Sequence, residues 1–91
     1  EGRMKTILFY WSKGAETRRG IVRFMAQGER SNNPCYLSTL AEKLGLSHVA
    51  IKKHVDLLLE EHYMKIKNPG GKPAFLILTE KGREVFREIS A

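Results

Sequence analysis

Two adjacent lysines, Lys52 and Lys53, sit in the stretch LGLSHVAIKKHVDLLLEE at residues 44–61, and three more, Lys65, Lys67 and Lys72, fall in MKIKNPGGKP at 64–73. Ammonium groups grouped this way can pair with phosphate or donate to the acceptor edge of guanine. The other reactive side chains do not assemble into a site. Cys35 is the single cysteine, so it cannot form an internal disulfide or supply a thiolate zinc site alone. It reads as a small, partly buried residue beside an extended segment, with a disulfide across a dimer or a redox role as the sharper alternatives. His48, His54 and His62 lack the i, i+4 spacing that sets two imidazoles side by side on a helix; packing or surface roles are expected, with no metal and no cofactor. Nor is there a Gly-rich phosphate loop, a nucleophile with a recognisable base or a plausible pair of carboxylates, so the chain does not read as an enzyme.

What the lysines can reach depends on the elements that carry them. On a helical wheel with Ile51 at zero, Val55, Leu58, Leu59 and His62 fall between about −20° and 80° and form the side to be buried. Lys52, Asp56, Val49 and Lys53 fall between about 100° and 200°, and Ala50 near −100°. A helix over 47–62, anchored on one side and presenting short residues and two cations on the other, is shaped for the major groove of DNA. The segment before it, STLAEKLG at 38–45, is a compact helix capped by Ser38 or Thr39, with Thr39 and Glu42 at capping-box spacing. Gly45 permits a left-handed turn, Leu46 fills that turn, and Ser47 caps the next helix. Two helices three residues apart and joined through a glycine form a helix-turn-helix.

The rest of the chain frames this pair. A helix from 17 to 27 is expected, capped at Thr17 and stopped at Gly28, with Ile21, Val22, Phe24 and Met25 as its apolar stripe and Arg18, Arg19 and Arg23 on its polar surface. A turn-forming loop, GERSNNP, and a short extended piece, CYL, follow. Two extended runs, 63–67 and 74–78, enclose NPGGKP and predict a β-hairpin with a flexible tip. LTEKGREVFREIS then starts a helix at Thr79, with Val85, Phe86 and Ile89 apolar. The N-terminal run ILFYW at 7–11 reads as a short helix too apolar to stay uncovered, and with the last helix it predicts a homodimer.

Ninety-one residues, 42% of them apolar, suit one folded domain that buries only about 60–65% of its unfolded surface, so self-association would help it. The formal charge of +6 favours a polyanionic partner. No run approaches the roughly 20 apolar residues that span a bilayer, so no membrane role and a cytoplasmic location are expected. Met4 reads as the natural start and residues 1–3 as a remnant of expression, which leaves 4–91 as the domain.

The order helix, extended piece, helix, turn, helix, hairpin, helix resembles a winged helix-turn-helix. LAEKLGLSHVAIKKHVDLLLEEHYM is similar to the helix-turn-helix of the ArsR and MarR-like regulators, with Leu46 and Ser47 at the opening of the recognition motif and Ile51, His54, Val55 and Leu58 at its matching positions. His62 stands where that pattern has glycine. LILTEKG resembles the end of the wing in MarR-like and archaeal or archaeal viral winged-helix proteins. The resemblance implies an α+β, mainly helical fold with a two-stranded wing at 64–78 and a C-terminal helix. It also implies a dimeric, sequence-specific regulator of double-stranded DNA. Ser47, His48, Val49, Ala50, Lys52 and Lys53 would then enter the groove, and Lys65, Lys67 and Lys72 would meet the flanking backbone. The paired cysteines of ArsR metal sensors are missing from the motif. A sequence-tolerant architectural DNA-binding protein is one alternative, and a protein-binding winged helix, with Glu60, Glu61 and an outward Leu57 as its anchor, is another.

Overall fold

Gly14 decides where the first long helix begins. Its φ of 88° is left-handed, and it directly precedes α2, Ala15–Arg30; a Cβ there would stand 2.6 Å from His54 Cε1, so glycine suits both the backbone and the space. The computed structural model, which describes residues 2–90, thus corrects the helix expected over 17–27. Thr17 lies within α2 rather than capping it, and Gly28 is carried inside the helix, which runs to Arg30 and is capped by Ser31. Ahead of it the short helix expected at the N-terminus is present as α1, Gly2–Thr6, followed by a π-helical turn, Ile7–Trp11. Glu1 and Ala91, the outer ends of the expected leader and domain, lie outside the described residues.

The remaining elements are α3, Leu37–Leu44; α4, His48–Glu60; β1, Met64–Ile66; β2, Leu76–Leu78; and α5, Glu80–Ile89. The fold is a winged helix-turn-helix, mainly helical, with an antiparallel hairpin between its last two helices. Its strands pair Met64 with Leu78, Lys65 with Ile77 and Ile66 with Leu76, and the backbone amide of Lys67 adds one more bond to Phe75 O at 2.7 Å. The expected CYL strand is reduced to one bond, from Leu76 N to Cys35 O at 2.8 Å, because Leu37 already begins α3. Cys35 is buried. Burial first, and Glu29 second, push its thiol up to about 11; it stays neutral at physiological pH, which suits packing better than redox chemistry.

The core forms where α2, α3, α4 and the hairpin present their apolar sides. Ile21, Val22 and Met25 meet Leu40, Ile51, Val55, Leu58 and Leu78, all nearly or fully enclosed. Phe9 from the π-helical turn joins them, edge-on to Tyr63 with centroids 5.0 Å apart. Leu57, expected to face outward, is partly buried and packs against this core. That takes the apolar anchor from the protein-binding reading, which rested on Leu57 together with Glu60 and Glu61.

Arg18 is the largest departure from expectation. Predicted on a polar surface, it is 4% exposed. Its Nε donates to Leu8 O at 2.7 Å, Nη2 to Lys13 O at 3.2 Å and to Ser12 Oγ, and Nη1 lies 3.1 Å from His54 Nδ1. The guanidinium therefore joins the N-terminal segment to α4. Since Arg18 has only donors, His54 Nδ1 must be the acceptor and its proton sits on Nε2.

Burial first, then the charge of Arg18, hold His54 below its ordinary value near 6.5. A depressed histidine contributes stability that is complete above pH 6.5 and is lost as pH falls through the lower folded value. The urea midpoint of the protein should therefore drop between pH 7.5 and pH 5 more steeply than that of His54→Gln. Parallel profiles for the two proteins would show that the Arg18–His54 contact does not sense protons.

Candidate nucleic-acid interface

The turn between α3 and α4 fixes how α4 is presented. Gly45 adopts φ 67°, with its amide on Glu42 O at 3.3 Å and that of Leu46 on Ala41 O at 3.0 Å. These bonds close α3 with a left-handed glycine. Leu46, expected to fill the turn, is exposed. Ser47 caps α4, its Oγ accepting from Ala50 N at 3.1 Å. The start of α3 differs from the expected cap. Tyr36 precedes the helix in an extended conformation, and Thr39, three residues in, reaches back to accept from Tyr36 N at 3.4 Å.

With Ile51, Val55 and Leu58 buried and His54 held by Arg18, one side of α4 is fixed. The other side is open: Ser47, His48, Lys52 and Lys53 are exposed, Ala50 is half-buried, and Val49 is 68% exposed although apolar. Lys53 makes no ion pair among the described residues. Lys52 Nζ lies 2.8 Å from Asp56 Oδ2, an i, i+4 contact that the spacing alone could have revealed. The helix ends at Glu60, not at 62 as expected. His62, assigned to the buried stripe, is exposed with φ 65°, a left-handed conformation that glycine adopts more readily.

The charges on α4 run against its dipole. Its first turn holds no acid and its last turn no base, while Glu60 and Glu61 stand at the C-terminal end, where cations are the favoured neighbours. Part of that deficit is met from outside, since Lys81 Nζ donates to Glu61 O at 2.9 Å. A helix arranged for its own stability would place these charges the other way round. An N-terminal half free of carboxylates is the arrangement that suits an anion in front of it.

The wing lies beside α4 across an open cleft of about 380 Å3, whose walls include Lys52, Asp56, Ile66 and Pro73. Lys65 and Lys67 alternate with Ile66 along the strand and so face away from this cleft. Lys67 lines a second cleft with Glu29 and Cys35, its ammonium 5.3 Å from the centre of the Phe75 ring. Lys72 is exposed at the tip. The fold leaves Ser47, His48, Val49, Lys52 and Lys53 exposed around the N-terminal half of α4 and distributes the wing lysines over the hairpin's outer face and tip.

The tip is more fixed than its glycines suggest. Asn68 Oδ1 accepts from Phe75 N at 2.7 Å, its Nδ2 donates to Pro73 O at 3.3 Å, and its own carbonyl accepts from Gly71 N at 2.7 Å. The Asn-Pro pair and the glycines marked this segment as a turn, and Asn68 gives that turn more order than the flexible tip expected there.

Known proteins share this geometry without sharing much sequence. No family profile matches the chain, and no curated protein matches it either. Solved structures do. AF1382 from Archaeoglobus fulgidus is 19% identical with a TM-score of 0.74, over 82% of this chain and 81% of that one. A ZitR double mutant from Lactococcus lactis is 26% identical with a TM-score of 0.66, over 82% of this chain and 49% of ZitR. MarR from Staphylococcus aureus is 21% identical with a TM-score of 0.70, over 81% of this chain and 48% of MarR. The fold is that of the MarR-type winged helix-turn-helix regulators, and this chain spans about half the length of the MarR chains and from half to two-thirds of the ZitR chains it matches.

Replacing Asn68 by Ala should leave the core intact and loosen the tip, at a cost of about 1 kcal/mol for the hydrogen bonds removed. Hydrogen exchange reports this directly: the Phe75 amide should exchange faster while those of Ile51 and Leu58 do not change. Unaltered exchange at Phe75 would mean that the tip is ordered by something other than Asn68.

Proposed function

We propose that this chain is a DNA-binding domain of a transcription regulator, with α4 entering the major groove and the wing resting on the flanking backbone. The observation that carries the reading is the open face of α4: exposed, bordered by the wing only across the cleft, cationic in its N-terminal half, and opposed to the helix dipole in its charge order. The MarR-type fold supports it. In this reading Lys53 and Lys52 donate to guanine or phosphate, and Ser47 and the helix N-terminus approach a phosphate. Val49 and Ala50 meet a thymine methyl, while His48 lies at the edge of the groove. Lys65, Lys67 and Lys72 supply sequence-independent attraction. No catalytic step is assigned, and the site of action is intracellular.

The reading includes a homodimer. Met4, Ile7, Tyr10 and Trp11 are exposed on the N-terminal helical segment, Trp11 at 80%, and Phe86 and Ile89 of α5 are only partly covered. An apolar face of this size suits a second copy. Two copies would place two α4 helices on half-sites about 34–36 Å apart, one helical turn of DNA or a multiple of it.

Two measurements test this function. Lys53→Ala should cost about 1–3 kcal/mol at the selected site and flatten the preference at one position per half-site. Lys72→Ala should instead weaken all sequences alike and lower the log–log salt slope by about 0.9 for each phosphate it no longer neutralises. If Lys72→Ala alters the preference and Lys53→Ala does not, the wing is the reader; if no sequence is enriched and binding is uniformly salt-sensitive, the protein is architectural. Sedimentation at micromolar concentration should show a dimer that Trp11→Glu converts to monomer. A wild-type monomer, unshifted by DNA, removes the dimer from the proposal.

A further inference from the structure

Phosphate binding does not account for Asp56. Its side chain is nearly as exposed as that of Lys52, 56% against 63%, and the two groups meet at 2.8 Å. Both line the cleft between α4 and the wing, so the carboxylate stands on the side that the proposed function turns toward DNA. An exposed i, i+4 pair adds little to stability, and the order cation before anion is the weaker one. A carboxylate facing phosphate also lowers affinity for every sequence. Neither stability nor affinity explains its place.

We propose that Lys52 and Asp56 act as one unit that reads a G·C base pair, and this rests on the reading of α4 as the helix in the major groove. The Lys52 ammonium carries three N–H groups, one of them directed at Asp56. The other two match the adjacent acceptors O6 and N7 of guanine. Asp56 keeps free lone pairs on its carboxylate and accepts from the N4 amino group of the paired cytosine. An A·T pair fits less well, because it presents acceptor, donor and acceptor (N7, N6, O4) where G·C presents two acceptors and then a donor. Lys52 loses one of its two acceptors, and the donor no longer stands across the pair where Asp56 accepts. The ion pair holds donor and acceptor side by side before DNA arrives, so little side-chain freedom is lost on binding. Asp56 is on this view a specificity-determining residue that lowers general affinity in exchange for selectivity.

Selection from random duplexes with the wild-type protein, followed by titration of the selected site and of its single-pair variants, tests the unit. Exchanging the read G·C for A·T should weaken wild-type binding about tenfold or more, the scale of one good base-edge contact. Asp56→Ala should bind all duplexes more tightly, with a steeper salt slope, and should lose most of that discrimination. Asp56→Asn, which keeps one acceptor oxygen without the charge, should retain part of it. Discrimination left intact in Asp56→Ala, with affinity raised equally on all sequences, would overturn the unit and leave the DNA-binding function standing. So would an A·T pair selected at that position. Wild-type protein that enriches no duplex would overturn the unit and sequence-specific binding together.

Discussion

Arg18 carries a positive charge inside the protein with no carboxylate paired to it among the described residues, and the placement of α4 depends on how that charge is satisfied. Burying an ion is costly unless its hydrogen-bonding capacity is used. The acceptors here are the carbonyls of Leu8 and Lys13, the hydroxyl of Ser12 and the imidazole of His54. The first of these lies in the π-helical turn, close to the negative end of a helical segment, where a cation is electrostatically welcome. Ser12 is itself engaged, its hydroxyl donating to Ile7 O at 2.6 Å. The N-terminal segment is thus a polar seat for Arg18 as well as an apolar lid, and its geometry is passed to α4 through one imidazole.

A second junction secures the wing. The amide of Thr79 donates to Tyr63 O at 3.2 Å, its hydroxyl donates to His62 O at 2.6 Å, and the same oxygen accepts from Gly82 N at 3.2 Å as the cap of α5. A Cβ on Gly82 would fall 2.1 Å from Tyr63 O, so only glycine lets α5 start against the root of the hairpin. Glu29 of α2 braces the other strand, accepting from Leu78 N at 2.8 Å while Arg83 lies 3.3 Å from its second oxygen. The recognition helix and the wing are therefore fixed to the same body by separate sets of bonds.

Much of this was legible in the sequence where a local rule had a single solution. Gly45, Ser47, the three-residue turn, the apolar stripe Ile51, Val55 and Leu58, the hairpin and the Thr79 cap all follow from helix period, capping and turn chemistry, and each is found in the fold. What was not legible depends on partners distant in sequence. Arg18 looks like any surface arginine until Leu8 and His54 are brought to it. Leu57 lies outward on an isolated wheel and is covered only when the rest of the domain closes around it. Gly14 gives no sign of starting α2, because the space it leaves for His54 appears only once α4 packs beside it. The α4 surface itself was readable as a surface, since exposure on the far side of an amphipathic helix is a local property. The Lys52–Asp56 contact on it was readable too, since the two residues are one turn apart on the same side of the wheel.

Trp11 is the only tryptophan in the chain and among the most solvent-exposed of its large apolar residues, which gives the protein an unusual optical character. Its indole sits in water in the folded monomer, so its emission is already red-shifted and changes little on unfolding. Tryptophan fluorescence is consequently blind to the core of this protein. It is instead a selective reporter of whatever comes to lie over the N-terminal segment, a native probe placed on a face the fold leaves bare.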